Sequence, residues 1–285
     1  MPTTVSPLRY PGGKTVYADM IAEIIQLNNL SGRTFVEAFA GGAGAALTLL
    51  LRGDVPAIVL NDYDVAIFSF WHSILHETEA FLRLLNDTPI SVNEWYKQRN
   101  IYRSEHDNLL ALGFATFYLN RCNRAGILAA NPIGGLQQTG KYKIDARFNK
   151  AKLERKIREI ANRRDCITIS NDNGVDFIIR LTEKFKSDQL FIYFDPPYYK
   201  KGELLYLNHF DHAQHLELRN YIQNTLFAWV LSYDDENEIR KLYAQIPTYE
   251  RELYYSIGSP SKRKELIISH LVLPTYLHRK DFNNG

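Results

Sequence analysis

The chain has 285 residues, of which 45% are hydrophobic, and a formal net charge of +2. This composition excludes a disordered chain and is typical of one large α/β domain or of a core domain with an inserted module. Residues 1–13 contain no apolar signal segment, and the longest apolar candidate, 45–51, is far too short to span a membrane, which predicts a cytoplasmic protein without membrane contact.

The first motif is the segment 6–15, which contains the sequence Gly13-Lys14-Thr15. A Walker phosphate loop requires a glycine where Leu8 stands, and no buried strand precedes the segment, so we exclude a nucleotide triphosphatase. A glycine turn that opens an amphipathic helix is predicted instead, with an apolar stripe of Tyr17, Met20, Ile21, Ile24 and Ile25. Lys14, beside two glycines, can closely approach a carboxylate or ring of a small ligand.

Residues 34–47 have the pattern of a strand, a glycine-rich turn and a helix. Glycines at positions 41, 42 and 44 allow a ligand to lie against the backbone. The pattern departs from the dinucleotide fingerprint, because Leu47 occupies the third glycine position and the acidic Glu37 lies on the strand itself.

A second apolar strand, 57–60, ends on Asn61-Asp62. An acidic residue at this position can reach the two hydroxyls of a bound ribose, although it can also cap the following helix. Together with the glycine turn, the ribose interpretation is favoured. It predicts a nucleoside-type cofactor that requires no pyrophosphate site, and S-adenosylmethionine satisfies that requirement.

The pattern changes to amphipathic helices between Val65 and about Asp165, and a segregated basic segment lies within this stretch. Residues 121–164 contain twelve Lys or Arg against three acidic residues, a net charge of +9, and the rest of the chain carries −7. A charge run of this kind can be a solvated helix face, but its segregation favours a surface for a polyanion. Turn signals at 131–135 and 139–140 predict a projecting hairpin or loop rich in basic and amide side chains, which are the side chains that read purine edges.

The sheet pattern resumes at 166–170 and is followed by Asp172, which either accepts from the adenine amino group of the cofactor or lies in a turn. Strands are also predicted at 227–232, 249–253 and 265–271. His209, His212 and His215 suggest a metal site, but a helix start capped by Asp211 is favoured, because no carboxylate or thiolate partners accompany them. Cys122 and Cys166 have no metal or disulfide spacing either, so no metal is predicted.

The apolar run 190–194 predicts a strand buried on both faces, and it ends on Asp195-Pro196-Pro197-Tyr198. The prolines forbid further strand pairing, so a carboxylate, a carbonyl and an aromatic ring are presented at the carboxyl end of the strand, where α/β sheets bind ligands. A simple proline turn is the alternative. An enzyme that alkylates an exocyclic amino group of a base needs acceptors for its hydrogens and an aromatic face for the extruded base.

The order of these motifs resembles the D12-class (Dam-like, α-group) DNA adenine N6-methyltransferases, and the resemblance covers nearly the whole chain. It implies a Rossmann-like seven-stranded S-adenosylmethionine-dependent methyltransferase sheet formed by residues 1–64 and 165–285. Residues 65–164 would be an inserted, mainly helical target-recognition domain. The implied enzyme class is the adenine-specific, site-specific DNA methyltransferases.

The resemblance and the motifs together assign three groups of site residues. The catalytic group is Asp195, Pro196, Pro197 and Tyr198. The expected cofactor-binding residues are Tyr10, Lys14, Glu37, Phe39, Gly41, Gly42, Asp62, Asp172 and Asp195. The expected DNA-binding residues are Arg121, Asn123, Arg124, Lys141, Lys143, Arg147, Lys200 and Lys201.

The chain also departs from familiar Dam-like enzymes. Tyr10 stands where they usually have Trp, and residues 124–126 and 142–145 replace their Asn-Gly and Phe-Asn-Val-Pro sequences. These changes leave the chemistry intact, but the GATC specificity of Dam cannot be transferred. Alternatives are methylation of cytosine N4, of RNA adenine or of a protein glutamine, and a DNA-binding module without catalysis. The expected partner is double-stranded DNA, the sequence leaves open whether a cognate restriction endonuclease is also a partner, and the chain is expected to be a monomer.

Overall fold

The structure is a computed structural model that describes residues 4–9, 14–199, 210–255 and 261–277. Its strands are β1 (Thr34–Glu37), β2 (Ile58–Asn61), β3 (Ile167–Ser170), β4 (Leu190–Phe194), β5 (Ala228–Asp234), β6 (Thr248–Tyr255) and β7 (Ser261–Ile268). Its α-helices are α1 (Ala18–Leu27), α2 (Gly44–Arg52), α3 (Val65–His76), α4 (Thr78–Asp87), α5 (Val92–Ser104), α6 (Leu109–Cys122), α7 (Lys150–Ala161), α8 (Gly174–Lys184), α9 (His212–Asn224) and α10 (Asn237–Leu242).

The seven strands form one mixed sheet in the order β3-β2-β1-β4-β5-β7-β6. Strands β1 to β5 are parallel, and β7 is antiparallel to both β5 and β6. All five residues of β4 are buried, as expected for a central strand that is covered on both faces. The structure confirms the predicted seven-stranded Rossmann-like α/β fold.

Residues 65–164, which the sequence predicts as an inserted domain and which are here called the insert, contain α3 to α7 and none of the seven strands. The sequence predicts a hairpin or a loop in the region of residues 131–148, which is here called the basic loop. In the structure this segment is a loop. Its pairing with the preceding segment is one isolated bridge between Asn123 and Pro132. The loop is held instead by turns and side-chain contacts, because its glycines and polar residues supply no apolar alternation for a strand ladder.

The hydrophobic core consists of two clusters, one on each face of the sheet. Phe35, Phe191 and Tyr193 face the first cluster, which also contains the buried side chains of α1 to α7. Ile192 and Phe194 point to the opposite face, where α8, α9 and α10 pack. The alternation along β4 therefore assigns the insert helices to the same core as α1 and α2.

Helix α9 begins as the sequence predicts. Asp211 accepts from the backbone N–H of Gln214, and the Gln214 side chain accepts from the backbone N–H of Asp211, which forms a complete capping box. Across the described part of the chain, no helix has both the length and the apolar character needed to cross a membrane.

Candidate active site

Four predicted carboxylates lie at one edge of the sheet. Glu37 ends β1, and Asp62, Asp172 and Asp195 directly follow the ends of β2, β3 and β4 or lie within two residues of them. These four strands are mutually parallel, so their carboxyl ends meet at the same edge. The structure therefore brings together the acidic residues that the sequence assigned to the cofactor and to catalysis.

The glycine turn between β1 and α2 is fixed by three side chains. Glu37 is buried, and its Oε1 accepts from the backbone N–H of Ala46 in the first turn of α2 at 2.8 Å. Asp62 Oδ2 accepts from the backbone N–H of Gly41 at 2.7 Å. Trp71 of α3 donates its indole N–H to the Gly41 carbonyl at 2.9 Å, so the insert also contacts this turn. Gly41 has a φ of 47°, a conformation that favours glycine.

The Asp62 carboxyl is half-buried, and burial raises its pKa to about 7. The charge of Asp64 raises this pKa further, while the backbone N–H groups of Asp64 and Gly41 lower it. Each carboxylate oxygen accepts one of these backbone bonds and has a second acceptor position. Asp62 can therefore hold the turn and still accept from hydroxyl groups of a ligand.

Asn61 joins the ends of three strands. Its side chain is buried, and the amide nitrogen donates to the carbonyls of Ala38 and Asp172, each at 3.0 Å. The amide oxygen accepts from the backbone N–H of Asp172 at 3.0 Å. The Asp172 carboxylate itself accepts from Ser170 Oγ and pairs with Arg180 at 2.8 Å, and these contacts hold its pKa below the ordinary value.

Phe39 lies beside this edge and packs edge-on against Phe210, with ring centroids 5.4 Å apart. A Cβ atom at Gly174 would lie 2.4 Å from the Phe39 ring. Only glycine therefore fits at the start of α8 while the ring keeps its place.

The motif after β4 is held by residues of β5 and β7. Asp195 Oδ1 accepts from Ser232 Oγ at 2.8 Å, and Ser232 also bonds the Tyr193 hydroxyl at 2.8 Å. Tyr198 donates its hydroxyl to Glu265 Oε1. The next residue, Tyr199, donates its backbone N–H to Asp234 Oδ1 at 3.2 Å. Pro196, within the motif, is also buried, so the motif is anchored against the interior of the protein.

Sequence reasoning missed Ser232 and Glu265 as parts of this site. Both are polar residues buried within strands, Ser232 in β5 and Glu265 in β7. The available signal was a polar residue inside a strand that ought to be covered on both faces. It identifies a residue that must have a hydrogen-bond partner, but it does not identify the partner.

The basic loop is held by the Gln138 side chain. Its amide nitrogen donates to the carbonyls of Ile133 and Gly135, and its amide oxygen accepts from the backbone N–H of Ile144. Lys143 donates its ammonium to the Gln138 carbonyl at 2.6 Å. The predicted DNA contacts Lys141, Lys143 and Arg147 are all exposed on this loop, and Arg124 is exposed beside it.

Two residues predicted to contact DNA, Asn123 and Arg121, instead form hydrogen bonds within the protein. Asn123 is fully buried, its amide oxygen accepts from the Trp95 indole at 2.6 Å, and its amide nitrogen donates to the carbonyls of Ile127 and Leu128. Its donors and acceptor are thus used within the protein, and the prediction that it reads a base is not supported.

Arg121 donates to the carbonyls of Pro7 and Arg147, and burial lowers the pKa of its guanidinium to about 10. Its guanidinium therefore ties the segment 4–9 and the basic loop to α6. The role in DNA binding predicted for it is not what this arrangement shows.

Several predicted residues lie outside the described part of the structure. These are Tyr10, Lys200, Lys201 and His209, and for Lys14 only the backbone is described. Within the described ranges, no three His, Cys, Asp or Glu side chains are grouped so that they could hold a metal ion.

Two known proteins are similar to this chain over most of its length. A Type II methyltransferase, M.CviBI, from Paramecium bursaria Chlorella virus NC1A is 24% identical over 273 residues, which cover 94% of this chain and 98% of that protein. The rRNA methyltransferase aviRa from Streptomyces viridochromogenes has a TM-score of 0.38 and 14% identity, and the match covers 90% of this chain and 84% of that one.

The family comparison is decisive because it extends over most of the chain. The model of the family described as D12 class N6 adenine-specific DNA methyltransferase matches residues 10–257. This range includes the glycine turn, Asp62, the basic loop and the Asp195-Pro196-Pro197-Tyr198 motif. The chain belongs to the D12 class of N6 adenine-specific DNA methyltransferases.

Proposed function

We propose that this enzyme takes its methyl group from S-adenosylmethionine and transfers it to adenine N6 at a specific site in duplex DNA, after rotating the target base out of the helix. The observation that carries the proposal is the Asp195 carboxylate. It is oriented by Ser232 and lies at the same edge of the sheet as Asp62 and the glycine turn. A donor site and an acceptor site for the methyl group are thus adjacent.

The donor set at the glycine turn fits S-adenosylmethionine. Asp62 has acceptor capacity left for the ribose hydroxyls, and the turn between Gly41 and Gly44 has no side chain beyond a methyl group to keep a ligand from the backbone. Glu37, Phe39 and the backbone near Asp172 border the same edge. Tyr10 and Lys14 complete the proposed set from the sequence. When bound, the cofactor supplies a methyl group on a positively charged sulfur.

The Asp195-Pro196-Pro197-Tyr198 motif would receive the target base. Asp195 and the Pro196 carbonyl accept hydrogen bonds from the two amino hydrogens, which directs the electron density of N6 toward the methyl group and stabilises the positive charge that develops. The methylated nitrogen then releases one of these hydrogens as a proton to solvent. Extrusion of the base costs a few kcal/mol in stacking and pairing. Stacking on the Tyr198 ring returns part of this free energy.

Residues 65–164 are proposed as the target-recognition segment, with residues 1–64 and 165–285 as the catalytic part. The exposed cations Arg124, Lys141, Lys143 and Arg147 face solvent on or beside a loop whose backbone is fixed by Gln138. A prearranged cationic loop suits a polyanion, because little conformational entropy is lost on binding. Lys200 and Lys201 are proposed as further phosphate contacts near the motif.

We also propose that the enzyme acts as a monomer in the cytoplasm and has a cognate restriction endonuclease. The likeness to a Type II methyltransferase supports the endonuclease. Cutting of host DNA in cells that lose only this gene would support the partnership, and unchanged viability would contradict it.

The test of the proposed function is transfer of tritium from labelled S-adenosylmethionine to duplex DNA, followed by digestion and identification of the modified base. Label is expected in N6-methyladenine within one recurring sequence. Asp195→Ala should abolish transfer and leave the cofactor dissociation constant nearly unchanged in calorimetry. Label in N4-methylcytosine, label scattered over all sequences, or wild-type turnover by Asp195→Ala would each contradict the proposal.

A further inference from the structure

Glu265 on β7 has a carboxylate that is buried and shared by two tyrosines. Its side chain is 2% exposed. Oε1 accepts from the hydroxyl of Tyr198, and Oε2 accepts from the hydroxyl of Tyr17. Tyr198 belongs to the motif that follows β4, and Tyr17 directly precedes α1. One carboxylate thus joins three distant parts of the chain.

This arrangement of two phenol donors suits an ionised carboxylate at Glu265. Both oxygens act as acceptors toward phenol donors, which an ionised carboxylate does and a protonated one cannot do with both oxygens equally. A buried carboxylate is strongly unfavourable unless hydrogen bonds compensate it, and bonds to an ionised group are about twice as strong as neutral ones. The two phenols are therefore held firmly to it.

Tyr17 gives this anchor a rigid base. Its side chain is fully buried, and its ring centroid lies 6.3 Å from that of Tyr193. The guanidinium carbon of Arg251 lies 4.5 Å from the centroid of the Tyr17 ring. Tyr198 is only half-buried and follows two prolines. The hydroxyl end of the Tyr198 ring is fixed by the core, while the ring itself stays at the sheet edge.

We infer that Glu265 is a positioning residue for methyl transfer: its carboxylate holds the Tyr198 ring in the orientation in which the extruded base stacks on it. This inference rests on the proposed function. The bond is made at the hydroxyl end of the ring, so it restrains rotation of the ring without itself covering either face. A ring that is already oriented before the base arrives loses less conformational entropy when the complex forms. Loss of this orientation should therefore lower the rate of methyl transfer and the affinity for DNA.

The test is a double-variant cycle with Tyr198→Phe and Glu265→Gln. Tyr198→Phe keeps the ring and removes only the hydroxyl, and Glu265→Gln keeps the shape of the anchor and removes its charge. Each is expected to lower the single-turnover rate of methyl transfer about tenfold. The double variant should be no slower than Tyr198→Phe alone, because the contact that Glu265→Gln weakens is already absent in that variant. The dissociation constant of S-adenosylmethionine should stay within about twofold of the wild-type value.

The matched control is Tyr243→Phe. Tyr243 is also buried, and its hydroxyl has no hydrogen-bond partner among the described residues. Its loss should leave the transfer rate unchanged. If all three single variants slow transfer to the same extent and lower the melting temperature alike, the effect is one of general packing and the inference is wrong.

A second readout requires binding but no transfer. With 2-aminopurine at the target position, stacking on Tyr198 quenches the fluorescence of the extruded base. Tyr198→Phe and Glu265→Gln should both give brighter ternary complexes than the wild type. Equal brightness, or strictly additive losses in the cycle, would overturn the role of Glu265. Absence of methyl transfer by the wild-type chain would instead contradict the proposed function, and the fluorescence would still test the inference.

Discussion

Ser232 donates a hydrogen bond of 2.8 Å to Asp195 Oδ1 from the neighbouring strand β5. Phe194 and Leu231 are register partners, so Ser232 lies at the position that corresponds to Asp195, just where β4 stops. Because Ser232 is fully buried and also bonds the Tyr193 hydroxyl, its own rotamer is fixed. One oxygen of Asp195 is thereby oriented from inside the protein, and the carboxylate faces the ligand edge in a defined orientation.

Ser232→Ala should therefore impair chemistry more than folding. We expect the rate of methyl transfer to fall between about tenfold and a hundredfold, because Asp195 gains rotational freedom, while the cofactor dissociation constant changes little. The measurement is single-turnover transfer to duplex DNA. Loss of a buried hydrogen bond also lowers the free energy of unfolding by about 1 kcal/mol.

Ser269→Ala is the matched control. Ser269 is equally buried and donates to the Trp229 carbonyl at 2.7 Å, at the other end of β5 from Asp195. It should show the same loss of stability and a normal transfer rate. Equal rates for the two serine variants would show that Ser232 does not orient Asp195.

Cofactor affinity should depend on pH through Asp62. The folded pKa of about 7 means that the carboxyl is protonated in mildly acidic solution, whereas ribose hydroxyls donate best to the ionised form. Affinity should therefore be highest above pH 7 and fall by up to about tenfold for each pH unit below it. Calorimetric titration without DNA from pH 5.5 to 8.5 measures this dependence.

Asp62→Asn should weaken binding and remove the pH dependence, whereas Asp172→Asn should keep it, because the pKa of Asp172 is lowered. Stability of the free protein has a related trend. Because folding raises the pKa of Asp62, this residue stabilises the folded protein fully below about pH 4, and this contribution to the free energy of unfolding is lost as the pH rises through about 7. A pH-independent affinity of the wild type would contradict the ribose assignment.

Replacement by glycine should destabilise the protein less at Ala43 than at the nearby Ala45. It is buried in the glycine turn with φ 47° and ψ 36°, a left-handed conformation that is strained by about 1–2 kcal/mol for residues with a Cβ. In Ala43→Gly, relief of this strain offsets the lost methyl packing and the added chain entropy, so the free energy of unfolding should change by less than about 0.5 kcal/mol.

Ala45→Gly removes the same methyl group from a buried helical residue and has no strain to relieve. It should destabilise the protein by about 1–2 kcal/mol more than Ala43→Gly does. Chemical denaturation of both variants gives the comparison. Equal losses would mean that the turn is not strained at Ala43 in solution.

The basic loop should account for the salt dependence of DNA binding. Replacing Arg124, Lys141 and Arg147 together by alanine should reduce the slope of log affinity against log salt by about three, since each phosphate contact contributes about one. Fluorescence anisotropy with a duplex between about 50 and 300 mM salt measures the slope.

Arg158→Ala is the control from the same basic segment. Arg158 pairs with Glu79 at 2.6 Å and with Glu154 at 3.0 Å, so its charge is already balanced. Its loss should leave the slope unchanged. A triple variant that keeps the wild-type slope would assign the excess charge of residues 121–164 to the solvated surface.

The sequence predicted the sheet well because its strands follow local rules. The run 190–194 has no polar alternation, and Asp211 precedes a helix at the position that favours a capping carboxylate. The carboxylates at the strand ends could be placed together for the same reason, since parallel strands end at a common edge. These predictions required only the hydrophobic pattern of the sequence and the parallel direction of the strands.

Contacts between distant strands were beyond the sequence. Glu265 follows the charged run 262–264, and only the pairing of β7 with β5 places it behind Tyr198. Asn123 was assigned to DNA because it lies among basic residues, but α6 carries the chain into the core at that point and Trp95 takes its acceptor. Polarity shows that a side chain needs partners, whereas their identity depends on tertiary packing.

The hydrophobic core that residues 65–164 share with the sheet limits which parts of this segment can be exchanged between relatives. Helices α3 to α7 share one hydrophobic cluster with β1, α1 and α2, so exchanging the whole of residues 65–164 between relatives would leave mismatched apolar surfaces on both sides. The part of residues 131–148 around Gln138 contributes few buried side chains and is closed by its own hydrogen bonds. Under the proposed role of the basic loop in DNA recognition, recombination that changes specificity without loss of folding is therefore confined to a graft of about fifteen residues, small enough to be varied as a single cassette.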